Sequence, residues 1–313
     1  MNGSRNTNTL VDRIITLLGA IVPLAATIVA MIMTWERLTT WRDVALLVSM
    51  YFFTGLGITV GFHRMLTHRS FEAQPIIRFS LLALGCVAMQ TTPIRWTSIH
   101  VKHHARSDAE GDPHSPLEGL FHAHFGWIYD GLDAQPEIYG KWLLKDRLVL
   151  FFDRTFLFWA ALGFIIPYLI GGWTGVLWGG LVRMFLSHHT TWSVNSICHT
   201  FGQRPFATGD RSTNQWLVGL LALGEGWHNN HHAFPRSAAH GLRWWQIDLS
   251  AYVIFALERL GLVWNVYRVP LAVQETRLAS RATTPTTFDN SQSMVTLRSR
   301  RRRLNAQPSK EAS

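Results

Sequence analysis

Eight of the fifteen histidines in this 313-residue chain fall in three short stretches. GFHRMLTHRSFE carries His63 and His68, HVKHHARSD carries His100, His103 and His104, and GEGWHNNHHAFP carries His228, His231 and His232. Two of the three repeat one pattern, HxxHH. A single HxxHH reads equally well as a solvated turn. Two copies plus an HxxxxH, in a chain only 16% charged, read as a ligand set. On an α-helix, positions i and i+4 lie nearly over one another, while i+3 falls to the other side of that line. His100 and His104 can therefore share one metal while His103 reaches a second. His228 and His232 can serve that second metal while His231 reaches back to the first. Neutral imidazole suits iron, zinc, copper and nickel alike. Apolar surroundings point to redox chemistry on something lipid-soluble, and to iron where oxygen must be activated.

The elements that carry these ligands are apolar. The chain is 48% hydrophobic and 12% aromatic, with 14 tryptophans and a net charge of +9. Low charge density with long uncharged runs is the signature of an integral membrane protein. The Arg excess is assigned to cytoplasmic loops and lipid headgroups, and no nucleic-acid partner is expected. A crossing helix needs about 20 apolar residues. Ile14–Met33 and Val44–Phe62 qualify. The uncharged run from Thr155 to Val182 is too long for one straight crossing, and Gly171-Gly172 is its natural break. It reads as two helices, Phe152–Ile170 and Thr174–Val194. Trp35, Trp41 and Trp173 fall at outer ends, as an aromatic belt requires.

Sidedness limits what lies between. Ligands to one cluster must share one side of the membrane, so Phe79–Ile94, between His68 and His100, lies along the interface or inside the protein. Four spans result, with both termini and every histidine group on the cytoplasmic side. The expected organisation is a polar segment 1–13, a membrane domain 14–271, and a basic tail 272–313 without fixed structure. The tail's Arg300–Arg303 run is suited to anionic lipid. Cys86 and Cys198 form no metal or disulfide framework. No dinucleotide-binding, haem or ferredoxin-like motif is present, so electrons must come from a separate carrier.

The stretches GFHRMLTHRSFE, HVKHHARSDAEGDPHSP, WSVNSICHTFG and GEGWHNNHHAFP resemble the membrane fatty-acid desaturases, specifically the Δ9 acyl-CoA branch that includes stearoyl-CoA desaturase. The likeness covers roughly residues 40–270 in the family's order and spacing. It implies an all-α integral membrane fold, with four transmembrane helices and a cytosolic helical cap carrying a di-iron histidine site. It also implies oxygen-dependent conversion of a long-chain acyl group to a cis-monounsaturated product. A ligand set follows by the same resemblance. One iron takes His63, His68, His100, His104 and His231; the other takes His103, His199, His228 and His232. Asn195 acts through a metal-bound water. Implied partners are long-chain acyl-CoA or acyl-lipid, O2, membrane lipid, and a ferredoxin or cytochrome b5-type carrier with its reductase. Animal acyl-CoA members carry an Arg-Asp pair and a basic pair where this chain has Ser98-Ile99 and Leu117-Glu118. DPHSPLEG is closer to bacterial and plant members, some of which act on lipid-linked chains. Acyl-CoA remains the first choice.

Asp112 and Glu225 are read as orienting ligand imidazoles through the second ring nitrogen. His114, His122 and His124 are assigned to hydrogen bonding in the cap, His188 and His189 to the membrane interface, and His240 to structure. Trp96, Trp127 and Trp192 are read as tunnel, cap or core residues. Arg183, late in the last span, must face protein or reach the interface. Two rivals stand beside desaturation: a histidine-box lipid hydroxylase, and a membrane metal transporter. Transport calls for ligands near the bilayer midplane, whereas these groups follow or flank the spans.

Overall fold

The computed structural model describes residues 10–129 and 134–279. The segment expected over 1–13 falls outside them except for its last four residues. The tail expected from 272 falls outside them from 280 on, Arg300–Arg303 included.

Helix α1 (Leu10–Trp35) presents Leu18, Ile21, Ile28 and Met31 outward, a surface that suits lipid and not water. Thr40 starts α2 (Trp41–Leu56) with a capping box. Its hydroxyl accepts from the Asp43 N–H, and the Asp43 carboxylate accepts from the Thr40 N–H at 2.9 Å. The helix does not stop at Leu56. It winds on as a π-helix over Gly57–Thr67, closed by the His68 N–H donating to the His63 carbonyl at 3.1 Å.

The chain then turns back. Helix α3 (Pro75–Val87) runs antiparallel along the π-helix on a seam of glycines. A Cβ on Gly57 would stand 2.2 Å from the Gly85 nitrogen, one on Gly61 2.9 Å from the Leu81 carbonyl oxygen, and one on Gly85 2.4 Å from the Phe62 ring. Gly85 therefore lies level with Gly57, and Leu81 with Gly61. After Ala88 the backbone reverses through Met89 at φ 61°, and Thr92 caps α4 (Pro93–Arg106). Helix α4 returns far enough to bring His100 within 4.4 Å of His63, ring centroid to centroid. The stretch 79–94 enters the protein and comes back, on the inside of the fold.

Short helices α5 (Leu120–His124), α6 (Pro136–Tyr139) and α7 (Arg147–Arg154) follow. Asp146 caps α7, accepting from the Leu148 and Val149 N–H groups at 3.1 and 3.2 Å. Phe152, expected to open a span, is instead a buried residue of α7. The span starts at α8 (Phe156–Gly175), because α7 ends on the charged pair Asp153-Arg154, which separates Phe152 from the uncharged run. Gly172, at φ 61° and ψ −144°, breaks α8 internally, at the glycine pair marked by the sequence. Beyond it the chain continues as a π-helix (Val176–Val182) into α9 (Arg183–Ser196) and folds back along α8. A Cβ on Gly180 would lie 2.8 Å from the Phe164 ring, and one on Gly163 3.0 Å from the Arg183 guanidinium.

Among the described residues, three helical stretches are thus long and apolar enough to cross a bilayer: Leu17–Trp35, Trp41–Thr67, and the folded Phe156–His199. Trp35, Trp41 and Trp173, at 86%, 81% and 78% exposure, sit at their ends. Helices α10 (Trp216–Leu221), α11 (His228–Ala233) and α12 (Leu249–Arg259) complete the unit with α13 (Leu271–Glu275). The fold is mostly helical. A two-residue ladder, β1 (Glu72–Ala73) antiparallel to β2 (Val263–Trp264), departs from an all-α description. Packing continues past residue 271, since Phe206 bridges Leu278.

Alanine at Gly57 must push two backbones apart, which costs about 1–3 kcal/mol or more. A lowered melting temperature in detergent is expected for Gly57→Ala, whereas Gly19→Ala, in open space, should not lower it. Equal midpoints would mean that the α2–α3 seam is not close-packed.

Candidate metal centre

The histidines converge from four elements. Residues five apart diverge on an α-helix, but the looser π-helical winding brings them to one side. His63 and His68, at the end of that segment, have ring centroids 4.7 Å apart. Helix α4 supplies His100, His103 and His104, and α11 supplies His228, His231 and His232. His199 comes from the 3-10 turn Ile197–His199 that ends α9. Two groups form, each with its ligand nitrogens within 4.8 Å of one another: His63, His68, His100, His104 and His231, and His103, His199, His228 and His232.

Carboxylates hold the far side of four of these rings. Glu225 Oε2 stands 2.6 Å from His63 Nδ1, while Asp112 accepts from His103 Nδ1 at 2.9 Å, Asp108 from His199 Nδ1 at 2.9 Å, and Asp210 from His232 Nδ1 at 2.7 Å. Each of the three hydrogen bonds puts a ring proton on Nδ1 and turns Nε2 toward the cluster. There the ring nitrogens face one another. His228 Nε2 stands 3.0 Å from both His199 Nε2 and His232 Nε2, and one ring nitrogen carries at most one proton to share between them. In the other group, His231 Nε2 lies 3.2 Å from His63 Nε2 and 2.9 Å from His104 Nε2, which is 3.0 Å from His100 Nε2. His68 Nε2 and His103 Nε2 are buried with no hydrogen-bond partner among the described residues. With metal–nitrogen bonds of about 2.1 Å, adjacent ligands of a six-coordinate ion stand about 3.0 Å apart. The spacing fits a cation in each group.

Protonation states agree. Burial, reinforced by the neighbouring rings, holds His68, His100, His104, His228, His231 and His232 well below the ordinary histidine value, so they are neutral at pH 7. Burial alone would raise the Glu225 carboxyl. His63, His240 and Arg64 outweigh it and hold the group well below the usual carboxylate range. Asp112 and Asp210 are likewise lowered against their burial, chiefly by His103 and His232.

Two cavities meet beside this cluster. One runs between α2, α9 and α10, past His63, His100 and His228. The other is lined by Ile99, His114, Trp127 and Trp192. Both are lined by Gln90, Trp96, His100, Thr191 and Asn195. A hydrogen-bonded frame fixes that junction: Trp96 Nε1 donates to Gln90 Oε1 at 3.0 Å, and Gln90 Nε2 donates to Thr191 Oγ1 at 2.8 Å.

Residues 39–268 match the model of the family described as fatty acid desaturase. The chain belongs to the fatty acid desaturase family. It is 43% identical to the sn-1 stearoyl-lipid 9-desaturase of Anabaena variabilis, over 72% of this chain and 85% of that one. It is 40% identical to the acyl-CoA C20 Delta5-desaturase of Anemone leveillei, over 77% and 78%. It is 39% identical to the hex-5-enoyl-[acyl-carrier protein] acetylenase of Moorena producens, over 82% and 86%. The desaturase is therefore an oxidoreductase of lipid metabolism. Its family is known for di-iron centres, and its two histidine groups could hold metal.

Asp108 and Asp210, which the sequence reading did not select, orient His199 and His232 as Asp112 and Glu225 orient His103 and His63. Asp108 lies four residues beyond His104, a spacing that could have marked it, whereas Asp210 sits in a loop with no spacing relation to its histidine. Asn195 lines both cavities. Trp96 lines both as well, and Trp127 and Trp192 line the second. His240 is buried, its Nδ1 3.2 Å from Glu225 Oε2 and its ring 4.3 Å from that of His231. His114 packs on His103 at 4.3 Å, and His122 lies 3.8 Å from Glu118. His124 bridges His189 Nδ1 and Ser196 Oγ at 3.0 and 2.9 Å. His188, assigned to the interface, is instead buried against the Ala88 carbonyl oxygen at 3.1 Å, because α3 ends beside it.

Removing an orienting carboxylate typically costs 10- to 100-fold in metal affinity. Asp210→Ala is expected to weaken Fe2+ or Co2+ binding by about that factor in equilibrium dialysis, with helical content unchanged. Wild-type affinity in the variant would remove Asp210 from the centre.

Proposed function

We propose that this desaturase introduces a cis double bond, at Δ9, into a long-chain acyl group held in the joined cavity and bent at the junction, using O2 and two electrons per bond formed. The passage of that cavity along both histidine groups is the observation that carries the reading. Two irons would occupy the centre. His63, His68, His100, His104 and His231 would hold one, and His103, His199, His228 and His232 the other, with Asn195 acting through a water. Bound iron supplies the oxygen-dependent oxidant needed to take hydrogen from unactivated methylenes, which no side chain can do. The protein's own part is positioning. Trp96, Gln90 and Thr191 hold the chain at the bend, apolar walls exclude water, and the distance from headgroup to bend selects the carbon.

The membrane arrangement belongs to the same proposal. α1, α2 with its π-helical extension, and the two arms of the hairpin folded at Gly172 would make four crossings under a cap. The centre and both termini would face the cytoplasm, with 14–271 as the catalytic domain and 272–313 as a basic tail. A ferredoxin or cytochrome b5-type carrier would deliver the electrons. The inward course and return of 79–94 supports this count.

Acyl-CoA is the proposed substrate, with an acyl-lipid as the second reading. The second draws support from Ser98 and Ile99, which are buried, Ile99 in the cavity wall, and offer no cation to a phosphorylated headgroup. The lipid activity named for the Anabaena relative supports it too.

Expression in a host lacking its own desaturase, beside His231→Ala, tests the reading by fatty-acid profile and double-bond position. A monounsaturated acid in the wild type and none in the variant is the expected result. A hydroxy acid would select the hydroxylase, and no product with iron and a reductant chain supplied would overturn the assignment. Labelled acyl-CoA against labelled phospholipid, given to isolated membranes, separates the two substrates.

A further inference from the structure

Arg183 is fully buried, eleven residues beyond the break at Gly172. At no more than 1.5 Å per residue, since Val176–Val182 is the more compact π-helix, that is at most about 16 Å, near the middle of a ~30 Å hydrocarbon core. A cation at that depth is costly and marks function, and no carboxylate pairs with this one among the described residues. It donates instead to carbonyls: Nε to Gly179 at 3.3 Å in its own helical stretch, and Nη1 to Ala88 at 3.3 Å. His188, one turn further along α9, donates its Nε2–H to the same Ala88 oxygen at 3.1 Å. A carbonyl oxygen has two lone pairs, and both are used. Ala88 is the C-terminal cap of α3, where aligned peptide dipoles leave about half a negative charge. That partial charge is the counterpart of the guanidinium.

The position of this carbonyl gives the contact its consequence. Ala88 lines the first cavity, Met89 next to it is held left-handed, and Gln90 is the residue that bonds both Trp96 and Thr191 at the junction. Thr191 lies three residues beyond His188 on α9. One helix therefore grips the α3–α4 turn twice, through Ala88 and through Gln90. We infer that Arg183 and His188 form a two-donor clamp on the Ala88 carbonyl that fixes this turn, and with it the junction of the two cavities, so that both are positioning residues for the choice of carbon. The inference rests on the desaturase reading. Neither residue touches a histidine of the centre, and simple space-filling at either site would need only a leucine.

The test uses Arg183→Met, His188→Leu and the donor-retaining His188→Gln in the full-length protein. Hydrogen exchange of the metal-free protein is read over residues 86–92, and the position of the oxidised carbon in the product is read with metal content matched. Loss of either donor is expected to speed exchange in the turn by about tenfold and to raise minor positional isomers several-fold relative to the main product. His188→Gln should restore both. An unchanged isomer ratio with unchanged exchange overturns the clamp, even if turnover falls. Should Arg183→Met fail to fold, Met89→Gly carries the test. It loosens the turn with both donors intact and is expected to shift the isomers in the same way; an unshifted ratio there is also disproof. A wild type that makes no alkene would sink the desaturase reading alone, since the exchange measurement still decides the clamp.

Discussion

Ring nitrogens facing one another at about 3 Å, in a buried cluster with more of them than ring protons to bridge them, are what the rest of this chain is arranged around. Carboxylates set the condition by lying against Nδ1 of His63, His103, His199 and His232, three of them as hydrogen-bond acceptors. Protons held on that side are not available to bridge the nitrogens opposite. The protein holds them in that arrangement through contacts that do not involve the ligands. The Gly57–Gly85 seam presses α3 onto the π-helix. Arg64, buried at 3.3 Å from Glu225 and 3.0 Å from Asp248, ties that segment to the C-terminal part of the chain.

The same elements serve the cavity. The wall that carries His63 on the π-helix carries Tyr51 and Ile58 lower down, and α9 lines the cavity with Thr190, Thr191 and Asn195 before His199 ends it. Centre and cavity therefore keep a fixed distance: any movement of the ligands moves the walls. An enzyme that must choose one methylene among many near-identical ones needs that stiffness more than it needs polar recognition, because the chain offers nothing to hydrogen-bond.

The sequence was informative where residue type and local spacing coincide. Two HxxHH patterns divide their histidines on a helix as the two groups divide them in space, and Gly171-Gly172 announced the hairpin. His199 is a lone histidine, visible only through the likeness of WSVNSICHTFG to a known motif. Asp210 was invisible because it meets His232 through a loop fold that no periodicity encodes. The glycine seam was equally hidden, since Gly57 and Gly85 acquire meaning only once α3 is known to run back along α2. Phe152 misled because its apolar character was joined to the span across the charged pair Asp153-Arg154, which ends α7. Arg183 left two options open, and burial decided between them only when α3 was seen to end beside it.

The order in which ligands occur along the chain has a consequence for how the protein is made. His231 completes the first group, and His228 and His232 complete the second, so both wait for the same six-residue helix near the end of the packed unit. A ribosome that has released the chain through the 3-10 turn after α9 has exposed His63 through His199 without finishing either group. The membrane helices can therefore be inserted and paired before a full ligand set exists. Any metal capture by both groups would then be a late event in biogenesis, coupled to the docking of α11, and a chain interrupted before residue 228 would leave both histidine groups incomplete.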